Sequence, residues 1–434
     1  MSLQDRSGLD LPTLAKTMKS SCCVVTIVSA NYLAYARVLS QSLLHASPGW
    51  ELRVLIVDRK TPEIQRLVDL TDLECIFACD LGLPNADRIF YAYDVVELNT
   101  ALKPTFLSQT FALGYEHVLY LDPDIFVYGS LDPVLNALAA ADILLTPHST
   151  SPIMDGLRPS DIDFLRTGSY NLGFIGLKAS DTAKSFLLWW ESRCLGLGFN
   201  DPTFGIFVDQ KWIDLAPTYF SSCEILRHPG CNVAYWNIHA RHLDPGPNGS
   251  CLVNGQKLIF FHFSGVVPHD PNIFSKHQNR TSCTSSSLLG QLVQGYCERL
   301  IECDYDLYSK IPYTYGCLDN GQPINSVMRR ALHAVPFFEE DPFCARSKFQ
   351  ARIKSASLTE SSRSSFSVKA NSLSFNPSDY RLRSVHTLLR LSVKLFGIGR
   401  ILALLRYLSL LTREFYLASV LLNQPLDLTH QLRR

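Results

Sequence analysis

The sequence predicts an α/β fold, in which the strands of a sheet alternate along the chain with helices that cross its faces. From residue 22, short runs rich in β-branched residues alternate with longer amphipathic runs, the pattern of a sheet with helical crossovers. Of the 434 residues, 47% are hydrophobic and 18% are charged, so the chain has enough apolar side chains to fill a large core.

Local signals place the predicted elements in order. Thr61, Pro62 and Glu63 supply an N-cap, a first-turn proline and a first-turn acid for the second helix. Asn31 is placed to cap the first helix, and Ser180 is placed to cap the helix 181–194. The predicted strands are 23–29, 52–57, 75–78, 117–121, 143–146, 172–177 and 257–263. The predicted helices are 31–45, the one opened by Thr61, 104–113, 132–141 and 181–194.

Composition divides the chain into four regions. The alternating pattern occupies residues 20–285, and residues 286–354 are predicted to be mixed helix and loop attached to it. Residues 355–380 are predicted to be a linker, because ten of the 24 residues from 355 to 378 are serine. Residues 381–434 are predicted to form basic amphipathic helices with a break near Gly397 and Gly399.

The overall charge balance excludes some classes of protein. Forty Lys and Arg oppose forty Asp and Glu, so the chain lacks the basic excess of a protein that coats nucleic acid, and no nucleic-acid partner is expected. The neutral sum conceals a net charge of +7 in the last 54 residues and −7 in the first 380. A basic helical end of this kind suits peripheral contact with the inner face of a membrane, but it also suits packing on residues 286–354 or dimer formation.

A cytoplasmic location is expected. The thirteen cysteines are odd in number and form no repeated Cys-x-x-Cys pair, which favours reduced thiols. The first twenty residues contain Asp5, Asp10, Lys16 and Lys19 and no apolar core, so no secretory signal peptide is predicted there. No apolar run reaches the length of about 18 residues that a membrane-spanning helix needs.

The segment most indicative of chemistry is Asp122-Pro123-Asp124, which follows the predicted strand 117–121. Ligands of open α/β sheets bind at the carboxyl ends of the strands, where these two carboxylates would lie. Two adjacent carboxylates repel each other unless a cation lies between them, so the pair suits Mg²⁺ or Mn²⁺ carrying a diphosphate. The alternative is that the two aspartates only end the strand or cap a turn.

Together with other segments in the same order along the chain, this pair resembles the motifs of GT-A glycosyltransferases, and of the retaining, nucleotide-sugar-dependent family 8 in particular. The resemblance covers residues 20–285. Each matching residue also has a simpler explanation, such as a helix cap, a solvated lysine, a turn asparagine or a core histidine. The other matching residues are Ser29, Asn31, Tyr32, Lys103, Asn171, Gly173, Asp209, Gln210 and His262, the last in the run His262-Phe263-Ser264-Gly265.

The resemblance implies a fold and a set of roles. It implies a GT-A mixed central sheet flanked by helices, here with an α-helical carboxyl-terminal extension. The implied metal ligands are Asp122, Asp124 and His262, and the mixed carboxylate and imidazole set leans toward Mn²⁺ over Mg²⁺. The implied nucleotide-sugar binding residues are Ser29, Asn31, Tyr32, Lys103 and Gly173. The implied catalytic residues are Asn171 and Asp209, which would bond sugar hydroxyls, and Gln210 near the anomeric carbon.

The implied reaction is the transfer of a sugar from a nucleotide-diphosphate donor to a hydroxyl of a glycan or lipid-linked acceptor. UDP is the favoured nucleotide, and the anomeric configuration of the sugar is expected to be retained. The chain departs from the family after Gly265, where a Lys-Pro-Trp-like stretch is replaced by Val266-Val267-Pro268-His269. His269 or Lys276 is a candidate for the missing charge.

Other interpretations stay open. An inverting enzyme would need a carboxylate base, for which Asp209, Asp155, Asp161 and Asp163 are candidates. A second alternative is a non-catalytic module that binds nucleotide sugar or glycan and is tethered by its carboxyl-terminal helices. A haloacid dehalogenase-type phosphatase also uses Asp-x-Asp after a strand, but there a Thr or Val stands two residues after the second Asp, where this chain has Phe126.

Overall fold

The computed structural model describes residues 20–335, 340–359 and 383–424. Its strands are β1 Cys22–Val28, β2 Glu51–Ile56, β3 Cys75–Phe77, β4 His117–Leu121, β5 Ile125–Val127, β6 Ile143–Pro147, β7 Tyr170–Lys178, β8 Asn200–Asp201, β9 Ile206–Phe207, β10 Cys223–Ile225, β11 Leu243–Pro245, β12 Cys251–Val253, β13 Gln256–Lys257 and β14 Phe260–His262.

Helices separate and follow these strands. They are α1 Leu33–Ala46, α2 Pro62–Asp69, α3 Ala86–Ala92, α4 Val95–Ala101, α5 Lys103–Phe111, α6 Asp132–Leu138, α7 Asp161–Thr167, α8 Asp181–Leu197, α9 Ala216–Tyr219, α10 Leu288–Glu302, α11 Tyr305–Tyr308, α12 Ser326–Ala334, α13 Lys348–Ser355, α14 Arg383–Phe396, α15 Ile398–Leu411 and α16 Glu414–Leu422.

A seven-stranded mixed sheet with the order β10-β6-β7-β4-β1-β2-β3 forms the centre of the molecule. Six of its strands are parallel, and β7 runs antiparallel to its neighbours β4 and β6. The amino end of β7 therefore lies at the same edge as the carboxyl ends of β1 and β4. This mixed sheet flanked by helices, with helices at the carboxyl end, confirms the predicted fold class.

Both faces of the sheet are covered. In β4, Val118 and Tyr120 point to one face and Leu119 and Leu121 to the other, and all four are buried. Helices α5 and α8 pack on the first face, around the buried ring of Trp190. Helix α1 packs on the opposite face. Burial on both faces explains why these strands are continuous apolar runs in the sequence.

Two of the three predicted N-caps are present. The Thr61 hydroxyl accepts a hydrogen bond from the Ile64 N–H, and the Ser180 hydroxyl accepts one from Ala183. The prediction for Asn31 is wrong, because residues 30–32 form a short 3-10 turn and α1 begins only at Leu33. The Asp58 carboxylate accepts the Ala30 N–H at 2.7 Å, which fixes that turn.

The predicted strand 257–263 is also wrong as a single element. Residues 256–257 pair within the small sheet β11-β12-β13, whereas β14 pairs with β5. The change of partner occurs at Ile259 and Phe260, whose N–H groups both donate to the Gly230 carbonyl. Four described helices lie in segments where none was predicted: α3, α4, α7 and the short α9.

The described residues between 286 and 354 form helices and loops that pack on the central domain. In α12, the guanidinium of Arg329 donates to the carbonyls of Tyr91, Tyr93 and Tyr315. The neighbouring Arg330 forms a buried ion pair with Glu97 of α4. Most of the predicted linker, residues 360–380, lies outside the described residues.

The described part of the carboxyl-terminal region, residues 383–424, contains three helices, where a single break would leave two. The predicted break falls at Gly397, between α14 and α15, whereas Gly399 lies inside α15. Helix α16 packs against α12, with Phe415 and Ala418 buried. Among the described helices, none combines the length and apolar character needed to cross a membrane.

The buried pair of Glu97 and Arg330 gives a stability prediction. The Glu97 carboxylate also accepts the N–H groups of Asp94 and Asn200. Replacing Glu97 by Ala leaves the buried guanidinium without this partner, so we expect the free energy of unfolding to fall by about 3 kcal/mol or more. Urea denaturation followed by circular dichroism measures this change.

The exposed pair of Glu63 and Arg66, with its closest atoms 3.7 Å apart, supplies the control. Glu63→Ala is expected to change the free energy of unfolding by less than about 1 kcal/mol. Equal effects of the two substitutions would contradict a stabilising role for the buried pair.

Candidate functional site

The turn between β4 and β5 carries the two aspartates. The Asp122 N–H donates to the Gly173 carbonyl at 2.8 Å, and the Ile125 N–H donates to the Asp122 carbonyl at 3.0 Å. The Tyr120 hydroxyl donates to the Asp122 carboxylate at 2.7 Å. The backbone of the turn is thereby fixed at the carboxyl edge of β4, and the Asp122 side chain is held by a bond from the strand itself.

Pairing of β14 with β5 brings His262 to the same place. The register sets His262 opposite Ile125, and the Phe263 N–H donates to the Asp124 carbonyl at 2.8 Å. The Nε2 atom of His262 lies 2.9 Å from Asp124 Oδ1 and 3.7 Å from Asp122 Oδ2. One ligand atom from each of the three residues lies within 4.8 Å of the others. The structure thus brings together the three predicted metal ligands.

These three side chains fit a divalent cation such as Mn²⁺ or Mg²⁺. Two carboxylates and an imidazole form a mixed oxygen and nitrogen donor set. Burial alone would lower the pKa of His262, but Asp124 and Asp122 outweigh burial and raise the pKa above its ordinary value. The two carboxylates thus favour positive charge at this position.

Gly173 makes room for the His262 ring. A Cβ atom on Gly173 would lie 2.3 Å from Cε1 and 2.7 Å from Nδ1 of His262. The Trp236 ring contacts the same imidazole edge-on, with ring centroids 5.0 Å apart. His262 is therefore held between strand β7 and an indole ring, and the lack of a side chain at Gly173 has a steric reason.

Lys103 is buried next to the acidic pair, which excludes the alternative of a solvated helix-start lysine. Its Nζ atom lies 3.0 Å from Asp209 Oδ2 and 3.7 Å from Asp122 Oδ1, and it donates to the Leu172 carbonyl at 2.9 Å. Burial alone would lower the pKa of Lys103, but Asp209 and Asp122 raise it above the ordinary value. Burial raises the pKa of Asp209 to about 6, although Lys103 opposes the shift.

The side-chain amides of Asn171 and Gln210 bond to the backbone at the start of β7. Gln210 Oε1 accepts the Leu172 N–H at 3.1 Å, and its Nε2 donates to the Thr167 carbonyl at 2.9 Å. Asn171 Oδ1 accepts the Gly173 N–H and the Asn232 side-chain amide. Both residues therefore fix the entry to β7, and their predicted contact with a sugar stays a prediction.

Ser29, Asn31 and Tyr32 lie together at the carboxyl end of β1. The Ser29 hydroxyl donates to Asn31 Oδ1 at 2.5 Å. The Tyr32 ring is 41% exposed and stacks on Tyr35, with centroids 4.6 Å apart. Burial of its hydroxyl end, with the nearby charges of Asp124 and Asp122, raises the pKa of Tyr32 to about 12. An aromatic surface thus stands next to the acidic turn.

The two candidates for the missing charge after Gly265 lie in different surroundings. His269 forms an exposed pair with Asp306, with 2.8 Å between Nε2 and Oδ1. The Lys276 N–H donates to the Gly265 carbonyl, which ties its segment to the turn after β14. The ring of the next residue, His277, packs on Gly265, where a Cβ atom would lie 2.5 Å from Cδ2.

Two of the alternative carboxylates in the loop between β6 and β7 are already engaged. Asp155 pairs with Arg280, and this guanidinium holds the pKa of Asp155 below its usual range. Asp163 accepts hydrogen bonds from the N–H and hydroxyl of Ser160 as part of a capping box. Asp161 lies in the first turn of the same helix, α7.

Sequence reasoning missed three buried residues beside the site. The Asn232 side-chain amide donates to both Asn171 and Thr146, and Trp236 contacts His262 and His148. Burial lowers the pKa of His148 to about 4, so its ring is neutral at pH 7. Asn232 and Trp236 come from the Gly-, Pro- and aromatic-rich stretch 196–250, where no periodic pattern distinguishes them from ordinary loop residues.

Comparison with known proteins gives relatives and structural neighbours. No family model matches the chain. The uncharacterized protein YfnF of Bacillus subtilis (strain 168) is 28% identical over 253 residues, which cover 57% of this chain and 82% of that protein. The uncharacterized protein YfnD of the same organism is 25% identical over 254 residues, which cover 56% of this chain and 77% of that protein.

The similar solved structures include several glycosyltransferases. The galactosyltransferase LgtC, in complex with donor and acceptor sugar analogs, has a TM-score of 0.40 and 17% identity and covers 67% of this chain and 97% of its own. The glycosyltransferase GlyE of Streptococcus pneumoniae TIGR4 has a TM-score of 0.39 and 14% identity, with coverage of 68% and 66%. The bifunctional glycosyltransferase WbbM has a TM-score of 0.37 and 15% identity, with coverage of 69% and 52%.

The contact between Gly173 and His262 gives a prediction about metal binding. Gly173→Ala places a methyl group where the imidazole lies, so the ring must move away from Asp122 and Asp124. We expect affinity for Mn²⁺ to fall by about 10- to 100-fold, as when the support of a metal ligand is lost. Isothermal titration calorimetry with Mn²⁺ measures the change.

Gly176→Ala is the matched control in the same strand. Its methyl group would meet the side chains of Leu119, Leu144 and Phe174 rather than His262. This variant should lose some thermal stability and retain its affinity for Mn²⁺. A wild-type affinity in the Gly173→Ala protein would show that His262 is not a metal ligand.

Proposed function

We propose that the protein is a metal-dependent glycosyltransferase that moves a sugar from a UDP-sugar to an acceptor hydroxyl with retention. One observation carries the proposal: Asp122, Asp124 and His262 converge at the carboxyl edge of the sheet, beside the buried pair of Lys103 and Asp209. A cation site next to a buried lysine suits a substrate with a diphosphate group. The sequence resemblance to family 8 glycosyltransferases supports the same reaction.

The nucleotide is expected to bind at the end of β1. The exposed face of the Tyr32 ring offers an aromatic surface to the base, and the Ser29 and Asn31 side chains offer polar groups to the ribose or diphosphate. This placement directs the diphosphate toward the acidic turn after β4. The preference for UDP over GDP derives from the resemblance.

Asp122, Asp124 and His262 would hold the metal. When bound, Mn²⁺ or Mg²⁺ offsets the negative charge that develops on the departing diphosphate. Lys103 contributes a second positive charge behind Asp122, and its contact with Asp209 keeps the ammonium in place. Because the lysine is buried and its position is fixed, little reorganisation is needed during the reaction.

Asn171, Gly173, Asp209 and Gln210 would surround the transferred sugar, with Asn171 and Asp209 meeting its hydroxyls. Two hydrogen bonds hold the side-chain amide of Gln210 in a fixed orientation. We do not assign this amide the role of a nucleophile. A neutral amide attacks carbon poorly, so retention is expected to proceed by departure of the diphosphate and attack of the acceptor on the same face. An oxygen of the leaving diphosphate would accept the acceptor's proton.

The acceptor is proposed to be a glycan or a lipid-linked glycan in polysaccharide assembly. The protein is proposed to work in the cytoplasm, with peripheral contact at the inner face of the membrane. The large excess of basic residues after position 381 supports this location.

The metal ligands supply the test of the proposal. Asp124→Ala removes one of two carboxylates, and we expect Mn²⁺-dependent UDP binding to be lost and turnover of the UDP-sugar to fall by at least about a hundredfold. Calorimetry with UDP and Mn²⁺, and mass spectrometry of nucleotide released from a panel of UDP- and GDP-sugars, measure the two effects.

Asp132→Asn changes an exposed acid at the start of α6 and is the control, with binding and turnover expected to stay at wild-type levels. Unchanged UDP binding in Asp124→Ala would reject the site. A wild-type protein that binds UDP but neither hydrolyses nor transfers from any donor would be a binding module.

The stereochemistry of the product is a separate prediction. Same-face attack gives a product linkage with the anomeric configuration of the donor. Once a donor is known, proton NMR of the product reads the configuration from the coupling constant of the anomeric proton. An inverted centre would reject retention and would direct attention to a carboxylate base such as Asp209.

A further inference from the structure

Helices α14 and α15, residues 383–411, form a helical pair that we call the terminal hairpin. Thirteen large hydrophobic side chains of these two helices are exposed. Among the described side chains of the hairpin, Ile401 is the one that is buried. Scattered single apolar residues are normal on a protein surface, but thirteen exposed on two successive helices indicate a site of interaction.

The side chains of α14 separate into two faces. At about 100° per residue, Arg390 and Lys394 lie on one side of the helix, and Leu388, Leu395 and Phe396 lie on the other. The apolar side chains remain exposed, with Leu388 at 63% and Leu395 at 75%. The helix is therefore amphipathic, but its apolar face is turned to the outside instead of to the core.

Helix α16 attaches the hairpin to the body of the protein. Helix α15 packs on α16, and α16 packs on α12. The Phe415 ring lies 4.5 Å from the Phe199 ring, and the Glu414 carboxylate accepts from the Ser326 hydroxyl and lies 3.7 Å from Arg330 Nε. This attachment places the exposed apolar face outside the core.

Charge identifies what covers this face. Residues 383–411 contain five Arg or Lys residues and no Asp or Glu. A second copy of the chain would bring two strongly basic hairpins together, and like charges repel. A surface of anionic phospholipid would instead neutralise them while its acyl region takes up the apolar side chains.

The length of the helices fits a position in the plane of a membrane. Each of α14 and α15 has 14 residues. At about 1.5 Å per residue such a helix is about 21 Å long, less than the roughly 30 Å of a bilayer's hydrocarbon core. A helix of this length suits the interface between headgroups and acyl chains.

We infer that the terminal hairpin docks the protein on an anionic lipid surface, with its leucines in the headgroup region and its basic side chains against the headgroups. The inference deepens the proposed membrane contact by naming the segment and the lipid class that make it. Its link to a lipid-linked acceptor rests on the proposed function. Lipid binding itself requires neither the metal site nor turnover, so the two can fail separately.

Sedimentation of the full chain with lipid vesicles tests the inference. The protein should sediment with vesicles of phosphatidylcholine and phosphatidylglycerol and stay in solution with phosphatidylcholine alone. Salt should release it, since screening shortens electrostatic range to about 8 Å at 0.15 M. Replacing Arg390, Lys394, Arg400 and Arg406 by Gln should weaken binding to anionic vesicles by roughly a hundredfold or more. Each basic side chain that is lost is expected to lower the affinity about fivefold.

A matched pair of triple variants separates the hairpin from general surface hydrophobicity. Leu388→Ser, Leu395→Ser and Leu404→Ser should abolish sedimentation with anionic vesicles. The control changes Leu44, Leu70 and Leu188 to Ser, which are 67%, 66% and 59% exposed on the body, and should bind as the wild type does. UDP binding should be unchanged in both variants.

Two results would overturn the inference. Equal sedimentation of the wild type and the hairpin variant would show that the leucines do not contact lipid. A dimer in analytical ultracentrifugation that the hairpin variant dissociates, without vesicle binding by the wild type, would show that a second copy covers the hairpin.

Discussion

The site depends on one buried positive charge, the ammonium group of Lys103. Lys103 lies at the start of α5, and its ammonium group meets Asp209, the Leu172 carbonyl of β7 and, at longer range, Asp122 after β4. Three segments that are distant in sequence are thereby joined by one charge. A buried ammonium without such partners would be strongly unfavourable, and so would a buried Asp209 without the lysine. The same contacts that make burial of the charge tolerable also fix the acidic turn beside it.

Around this centre, backbone pairing determines which side chains meet. The three-residue pairing of β5 with β14 places His262 against Asp124, and the absence of a side chain at Gly173 leaves space for the ring. Trp236 closes the other side of the imidazole. The site is thus preorganised by the sheet and by packing rather than by mobile loops, and a bound ion would need little rearrangement of its ligands.

Features that depend on residues close together in the sequence could be predicted. Buried runs such as 117–121 and caps such as Thr61 and Ser180 were found because their signals lie within a few residues. The direction of β7 was not predicted, because a strand of the same composition can pair either way. The division of 257–263 between two sheets depends on the distant Gly230 carbonyl, and Asn232 and Trp236 acquire a role only through contacts made in the fold. Helix α4 had a readable signal, the capping box of Asp94 and Glu97, which was missed.

The antiparallel direction of β7 has an evolutionary consequence. Strand β6 ends and β7 begins at the same edge of the sheet, so the whole loop 148–169 stays beside the site, and the His148 N–H closes its base on the Ser169 carbonyl at 2.9 Å. A loop whose ends already meet can lengthen at small entropic cost, about 0.6 kcal/mol for each doubling. Insertions and substitutions in this loop change the surroundings of the acidic turn without disturbing strand register. A related chain can therefore change in this loop while the sheet and the cluster of Asp122, Asp124 and His262 stay the same.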